Sequence, residues 1–254
     1  MCGRGWFAEF QLQFLILLSE GGGHVPLPGE IMEAAYHEII ALTVLARLPQ
    51  LRGFFDAAGH TDMMIREDAV RPDTCYHDSV MQNAELHHAH SIKLFVAPSG
   101  QLRWRDGDCI DSIKAYSGMC LRYYASKDFD LVCRSLVELS HYIVDGMTFP
   151  HLVRGKPWSD YHMSFEISMA AWLRENEYVI PTLVFTREKS IFRSALARAK
   201  ALYPQALDVV FALEKGTYGN IGMTDADALT YTCKVAAAVG SAWITIMSSL
   251  FPKE

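Results

Sequence analysis

His141 and Asp145 stand four residues apart, and so do His162 and Glu166, with His151 between the pairs directly after Pro150. Residues four apart on a helix leave from one face about a turn from each other. Each pair can therefore converge on a single ion or on neighbouring ions. His151, fixed by the proline in a connecting loop, can complete the site of the second pair. Imidazoles and carboxylates without sulfur suit zinc, and manganese or iron as well. A solitary H-x-x-x-D is most often a surface ion pair or a satisfied core histidine. Two such pairs on successive segments, with a constrained histidine between them, are hard to obtain that way, and the pattern points to metal binding.

Helices must position these groups. Proline-free segments with apolar residues near a 3.6-residue period predict helices over 29–48, 79–96, 108–126, 129–147, 159–179, 187–202, 205–215 and 224–249. In 129–147 the stripe is Phe129, Cys133, Leu136, Val137, Ser140 and Val144. Asp108, Ser159 and Thr224 are candidate N-caps. Residues 93–104, KLFVAPSGQLRW, read as the one hairpin. The expected fold is all-α: a single-domain multi-helix bundle over 24–254, preceded by an N-terminal segment, 1–23, that ends in a glycine-rich joint.

A chain of 254 residues, half apolar and a fifth charged, has ample material for a core. Its net charge of −6 comes with no basic track, which excludes extended nucleic acid as the expected partner. The six cysteines (Cys2, Cys75, Cys109, Cys120, Cys133, Cys233) show no C-x-x-C spacing. Zinc–thiolate sites are not expected, and Cys120 and Cys133 read as buried thiols. In the N-terminal segment Glu9, Gln11 and Gln13 interrupt the apolar run around FLILL. It reads as a short amphipathic helix and the protein as cytoplasmic; if the segment is a signal peptide, the protein is secreted. No stretch is expected to approach the length of a membrane span.

The run H-x3-D-x5-H at His141, Asp145 and His151, followed by H-x3-E at His162 and Glu166, resembles the signature of zinc-dependent phospholipase C, a family that shares its fold with the S1/P1 nucleases. The gap from His151 to His162 is shorter than in the secreted bacterial members. The resemblance implies an all-α fold and up to three zinc ions that hydrolyse phosphate esters. It also implies an upstream aspartate with a histidine fourteen residues later, met by Asp73 and His87, with His88 and His90 competing for the latter role. His37 takes the place of a histidine in the first long helix. Secreted members use an N-terminal tryptophan as a further ligand; here either His24, thirteen residues before His37, substitutes for it, or the third site is weak or empty.

Carried over residue by residue, Asp73, His87, His141 and Asp145 would hold one ion. His151, His162 and Glu166 would hold a second, and His37, Asp145 and His24 a third. Asp73 is implied as the catalytic carboxylate that orients water or takes its proton. The implied substrate is a small phosphoester or a phospholipid head group, with His88, Tyr76 or Arg71 as candidate contacts. His60 and His77 are left without a role. His77-Asp78 is discounted as an HD-type pair because it follows Pro72 in a loop. The other readings are a non-hydrolytic metal-dependent biosynthetic enzyme (a lyase, a cyclase or an iron-dependent oxidative one), a short-oligonucleotide nuclease, and a non-enzymatic relative that only binds a partner.

Overall fold

In the computed structural model of the chain, the described residues are 28–74, 90, 92, 94–104, 109–153, 158–176, 183–213 and 223–251, the side chains of 28–34, 74, 158–164 and 210–213 aside. The elements in order are α1 (Pro28–Leu45), α2 (Pro49–Ala57), α3 (Asp62–Thr74), β1 (Phe95–Val96), β2 (Leu102–Arg103), α4 (Cys109–Ala125), α5 (Phe129–Asp145), α6 (Phe149–Leu152), α7 (Trp158–Asn176), α8 (Ile191–Leu213) and α9 (Asp225–Leu250). The protein is mostly helical, as expected.

The centre of the bundle is α5, against which α1, α3, α4 and α9 all pack. The Asp128 carboxylate accepts from Leu131 N–H to cap its N-terminus, and Lys127 reaches that cap through a left-handed φ of 63°. The stripe read from sequence understates this helix. Every residue from Ser135 through α6 to Leu152 is buried, while Phe129, at the start of the stripe, is exposed. Such all-round burial is available only to a helix surrounded by others. Trp243 of α9 donates its indole N–H to the Leu136 carbonyl (2.8 Å), and Tyr231 donates its hydroxyl to Met147 O (3.2 Å).

Several boundaries differ from expectation. The segments 187–202 and 205–215 form one helix, α8, through Pro204. Ala195, Ala199, Leu202, Ala206 and Val209 continue a single buried stripe across the proline, and that packing outweighs the lost backbone bond. Residues 183–190 precede it as an extended strap, whose Thr186 and Glu188 amides donate to Ser241 Oγ and Thr245 Oγ1 of α9. In the predicted helix 79–96, residues 94–96 are instead extended, with Leu94 bridging Val153; residues 79–89, 91 and 93 lie outside the described residues. The hairpin forms in the register Phe95↔Arg103 and Val96↔Leu102, its turn closed by Gly100 at φ +77°. The helices α2 and α3 were not expected, and His151 sits in the helical turn α6 rather than in a loop. Thr224 caps α9, accepting from Asp227 N–H (3.2 Å). Ser159 lies inside α7, and Asp108 outside the described residues.

By length and composition alone α9 could cross a membrane, which corrects the expectation that no stretch approaches a span. Even so, 56% of its apolar window is buried inside the protein. The described cysteines Cys109, Cys120, Cys133 and Cys233 are free thiols. Burial pushes Cys120 and Cys133 well above the usual thiol range.

Candidate metal centre

Asp145 occupies the last turn of α5, and its two carboxylate oxygens face different groups. Oδ2 lies 2.6 Å from His90 Nδ1 and 3.1 Å from His141 Nε2. Asp73 Oδ1 joins that side, 3.4 Å from His141 Nε2 and 3.7 Å from His90 Nδ1. Oδ1 of Asp145 lies 3.4 Å from His37 Nε2 and 3.9 Å from His151 Nε2. Glu166 completes the second side, Oε2 at 3.5 Å from His37 Nε2 and Oε1 at 3.8 Å from His151 Nε2. Donors bound tetrahedrally at about 2.0–2.2 Å from zinc stand roughly 3.3–3.6 Å from one another, a range that holds the His37–Asp145, His37–Glu166 and His141–Asp73 separations of 3.4, 3.5 and 3.4 Å. Three sets keep their donor atoms within 4.8 Å of each other: His37/Asp73/His141, His90/His141/Asp145 and His37/Asp145/Glu166.

Five helices and one loop residue supply these groups: α1 gives His37, α3 Asp73, α5 His141 and Asp145, α6 His151 and α7 Glu166, with His90 preceding the hairpin. Packing fixes the rings. His37 stacks on His141 with centroids 3.9 Å apart and planes 17° apart, and His90 stacks on Tyr142 at 5.2 Å. His141 Nδ1 lies 2.8 Å from the carbonyl oxygen of Ala69. A carbonyl only accepts, so Nδ1 carries the proton and the Nε2 lone pair of the neutral ring faces the two aspartates. This is the tautomer a metal ligand needs.

The chemistry of the set fits a cation. Asp145, Glu166, His37, His141 and His151 are all buried, and burying carboxylates without compensating charge is expensive. Among the described residues the groups within ion-pair distance of Asp145 are imidazoles, not lysines or arginines. Neither ring nitrogen of His37, nor Asp145 Oδ1, has a hydrogen-bond partner there. Burial alone would raise the Asp145 carboxyl; the charges of His141, His151 and His37 outweigh it and hold the group well below the usual range. Burial likewise opposes charge on His141, but Asp73 and Asp145 raise its pKa well above the ordinary imidazole value. The cluster demands positive charge, from protons or from metal.

Of the expected ligands, His37, Asp73, His141, Asp145, His151 and Glu166 meet here. His24 and His87 lie outside the described residues, as do His77, Asp78, Tyr76 and His88. The backbone of α7 sets position 162 one turn before Glu166 on the same face; the side chain of His162 is outside the description. The distances regroup the expected sites, because His37, assigned apart from Glu166, is as near to it as to Asp145. His90, a competitor for the role given to His87, stands at the cluster. Nothing in its spacing from Asp73 selects it; the Tyr142 ring and the approach of the hairpin to α6 do. Arg71, a candidate substrate contact, lies 3.4 Å from Glu138 Oε1.

Fold and site together define a mostly helical protein with buried His/Asp/Glu groups able to hold a metal ion. No family model, curated protein or solved structure matches the chain.

Proposed function

We propose that the protein is a metal-dependent phosphoester hydrolase of the phospholipase C type, with zinc as its ion. The observation behind this reading is the divided environment of Asp145, whose two oxygens serve two donor sets and can bridge two ions. Divalent ions held there would neutralise phosphate charge and lower the pKa of a bound water from about 16 towards 7.

The chain's own groups set the direction of approach. The side chains of Asp73 and His90 are 33% and 11% exposed, whereas His37, His141, Asp145, His151 and Glu166 are at 1% or below. A substrate phosphate therefore meets the Asp73–His90 edge first. Burial would raise the Asp73 carboxyl, but His141 and His90 hold it below its ordinary value, so it stays ionised and able to orient water through a hydrogen bond. A small phosphodiester or a phospholipid head group suits this edge better than a long polyanion, given the chain's net charge of −6.

The test is turnover of a chromogenic phosphodiester and of phospholipid vesicles before and after chelation. The reading expects activity that chelator abolishes and added zinc restores. A second reading, a non-hydrolytic manganese or iron enzyme, draws on the three carboxylates in the set, which suit harder ions. Full loading with iron, oxygen uptake and no turnover of any phosphoester would favour it.

A further inference from the structure

His60 lies outside the cluster and has no part in the chemistry above, yet it is buried, its Nδ1 hydrogen-bonded to Asp130 and its Nε2 at ion-pair distance from Asp68 without hydrogen-bond alignment. Its Nδ1 is 2.8 Å from Asp130 Oδ1 in the first turn of α5, and its Nε2 is 2.9 Å from Asp68 Oδ2 of α3. Asp68, itself buried, also faces Arg134 Nε of α5 at 3.4 Å. The backbone delivering His60 is fixed too. Gly59, at φ +76°, ends α2, and the His60 amide donates back to Phe55 O (2.9 Å).

The network sits at the root of the helix that feeds the metal centre. One residue beyond Asp68 is Ala69, whose carbonyl sets the His141 tautomer. Two further on, Arg71 reaches Glu138 of α5, and two beyond that Asp73 enters the cluster. A slide of α3 along α5 would displace all of these at once. We propose that His60 is a positioning residue for the metal centre, bridging Asp68 and Asp130 so that α3 holds the register on α5 that places the Ala69 carbonyl and the Asp73 carboxylate.

The groups facing His60 are Asp68 from α3, Asp130 and Arg134 from α5, and the edge of the Phe55 ring from α2 (5.5 Å). Cys133 lies in the field of the same two aspartates. Burial is the largest single influence and opposes charge on the imidazole, but the two carboxylates together raise its pKa. A doubly protonated ring carries the positive charge that attracts both carboxylates, with the hydrogen bond going to Asp130 and the ion pair to Asp68. Once pH rises through the raised pKa, one proton remains for two acceptors and the bridge loosens.

The metal-binding half of this inference rests on the function proposed above; the register half does not, and two measurements separate them. The full-length chain and its His60→Gln and Asp130→Asn variants are compared well below their melting temperatures. Asp130 is 41% exposed, so its variant tests the bridge if His60→Gln fails to fold. The first measurement is the exchange rate of the His141 Nδ1 proton in metal-free protein, followed by nitrogen-edited NMR. The second is zinc affinity by competition with a chromogenic chelator. Expected are at least tenfold faster exchange and zinc affinity reduced by about 10–100-fold, the range for supporting residues of metal sites. The deficit should shrink as pH rises through the raised pKa of His60, which lies above the ordinary imidazole value of about 6.5, since the unaltered protein then loses its own bridge. A lower melting temperature with unchanged His141 exchange would overturn the inference. Altered exchange in a protein that takes up no zinc would uphold the positioning role while removing the proposed function.

Discussion

The Ala69 carbonyl oxygen and His141 Nδ1 lie 2.8 Å apart, and this one contact decides which ring nitrogen can bind an ion. An asparagine at 141 can offer its amide N–H where Nδ1 stood, yet has nothing at the place of Nε2. His141→Asn is therefore expected to fold, to keep α3 on α5, and to lose metal affinity by about a hundredfold or more, beyond what supporting residues usually cost. Circular dichroism with zinc competition checks both halves.

The acid–base state of the cluster gives the metal-free and metal-loaded forms opposite pH responses. Without metal, the raised pKa of His141 contributes stability that is present below about 6.5 and is lost as pH rises through the folded value. The depressed pKa of Asp145 contributes stability that is present above about 3.9 and is lost as pH falls towards its lower folded value. Metal-free protein should thus melt lower at pH 9 than at pH 6. Metal-loaded protein should melt higher at pH 8 than at pH 5, since protons compete with metal for the same nitrogens. Parallel calorimetric pH series test this; curves of the same sign would count against the shared cluster.

Lys127 adopts φ 63° between α4 and α5, a conformation costing an L-residue about 1–2 kcal/mol. Glycine removes that cost but has more entropy to lose, by about 0.5–1 kcal/mol. Lys127→Gly should stabilise the protein by up to about 1 kcal/mol in denaturant titrations and leave zinc affinity unchanged, because the turn lies at the opposite end of α5 from Asp145.

At Gly240 a Cβ would run into the Phe185 ring, which packs against the backbone of α9 there. Gly240→Ala should expel that ring and loosen the 183–190 strap, destabilising by about 1–3 kcal/mol as overpacking does. Faster proteolysis between Leu183 and Ser190 would report the loosening.

The parts of the site legible in the sequence are those that local geometry dictates. A spacing of four on a helix places His141 with Asp145, and it puts position 162 one turn before Glu166, whatever the tertiary fold. The clustering of His37 and Asp73 was expected through family resemblance, and the distances bring His37 to Asp145 and Asp73 to His141. His90 was on paper a competitor for the place given to His87; its stacking on Tyr142, fifty-two residues away in sequence, is not written in its spacing from Asp73. Ala69 acts through a carbonyl that every residue possesses, so its role leaves no mark on sequence. The helical class followed from periodicity, but the passage of α8 through Pro204 did not, because a stripe of buried alanines and leucine outweighed a local breaker. His60 carried no motif at all, since its partners come from two other helices.

Metal content per chain, by elemental mass spectrometry on purified full-length protein and its Asp145→Asn variant, tests the central claim most directly. The unaltered protein should carry at least two divalent ions per chain, and Asp145→Asn, which weakens the carboxylate shared by both donor sets, should lose them while keeping its helical spectrum. Unaltered protein that stays metal-free after incubation with zinc, manganese and iron, or a variant that retains its full complement, would contradict a centre built on Asp145.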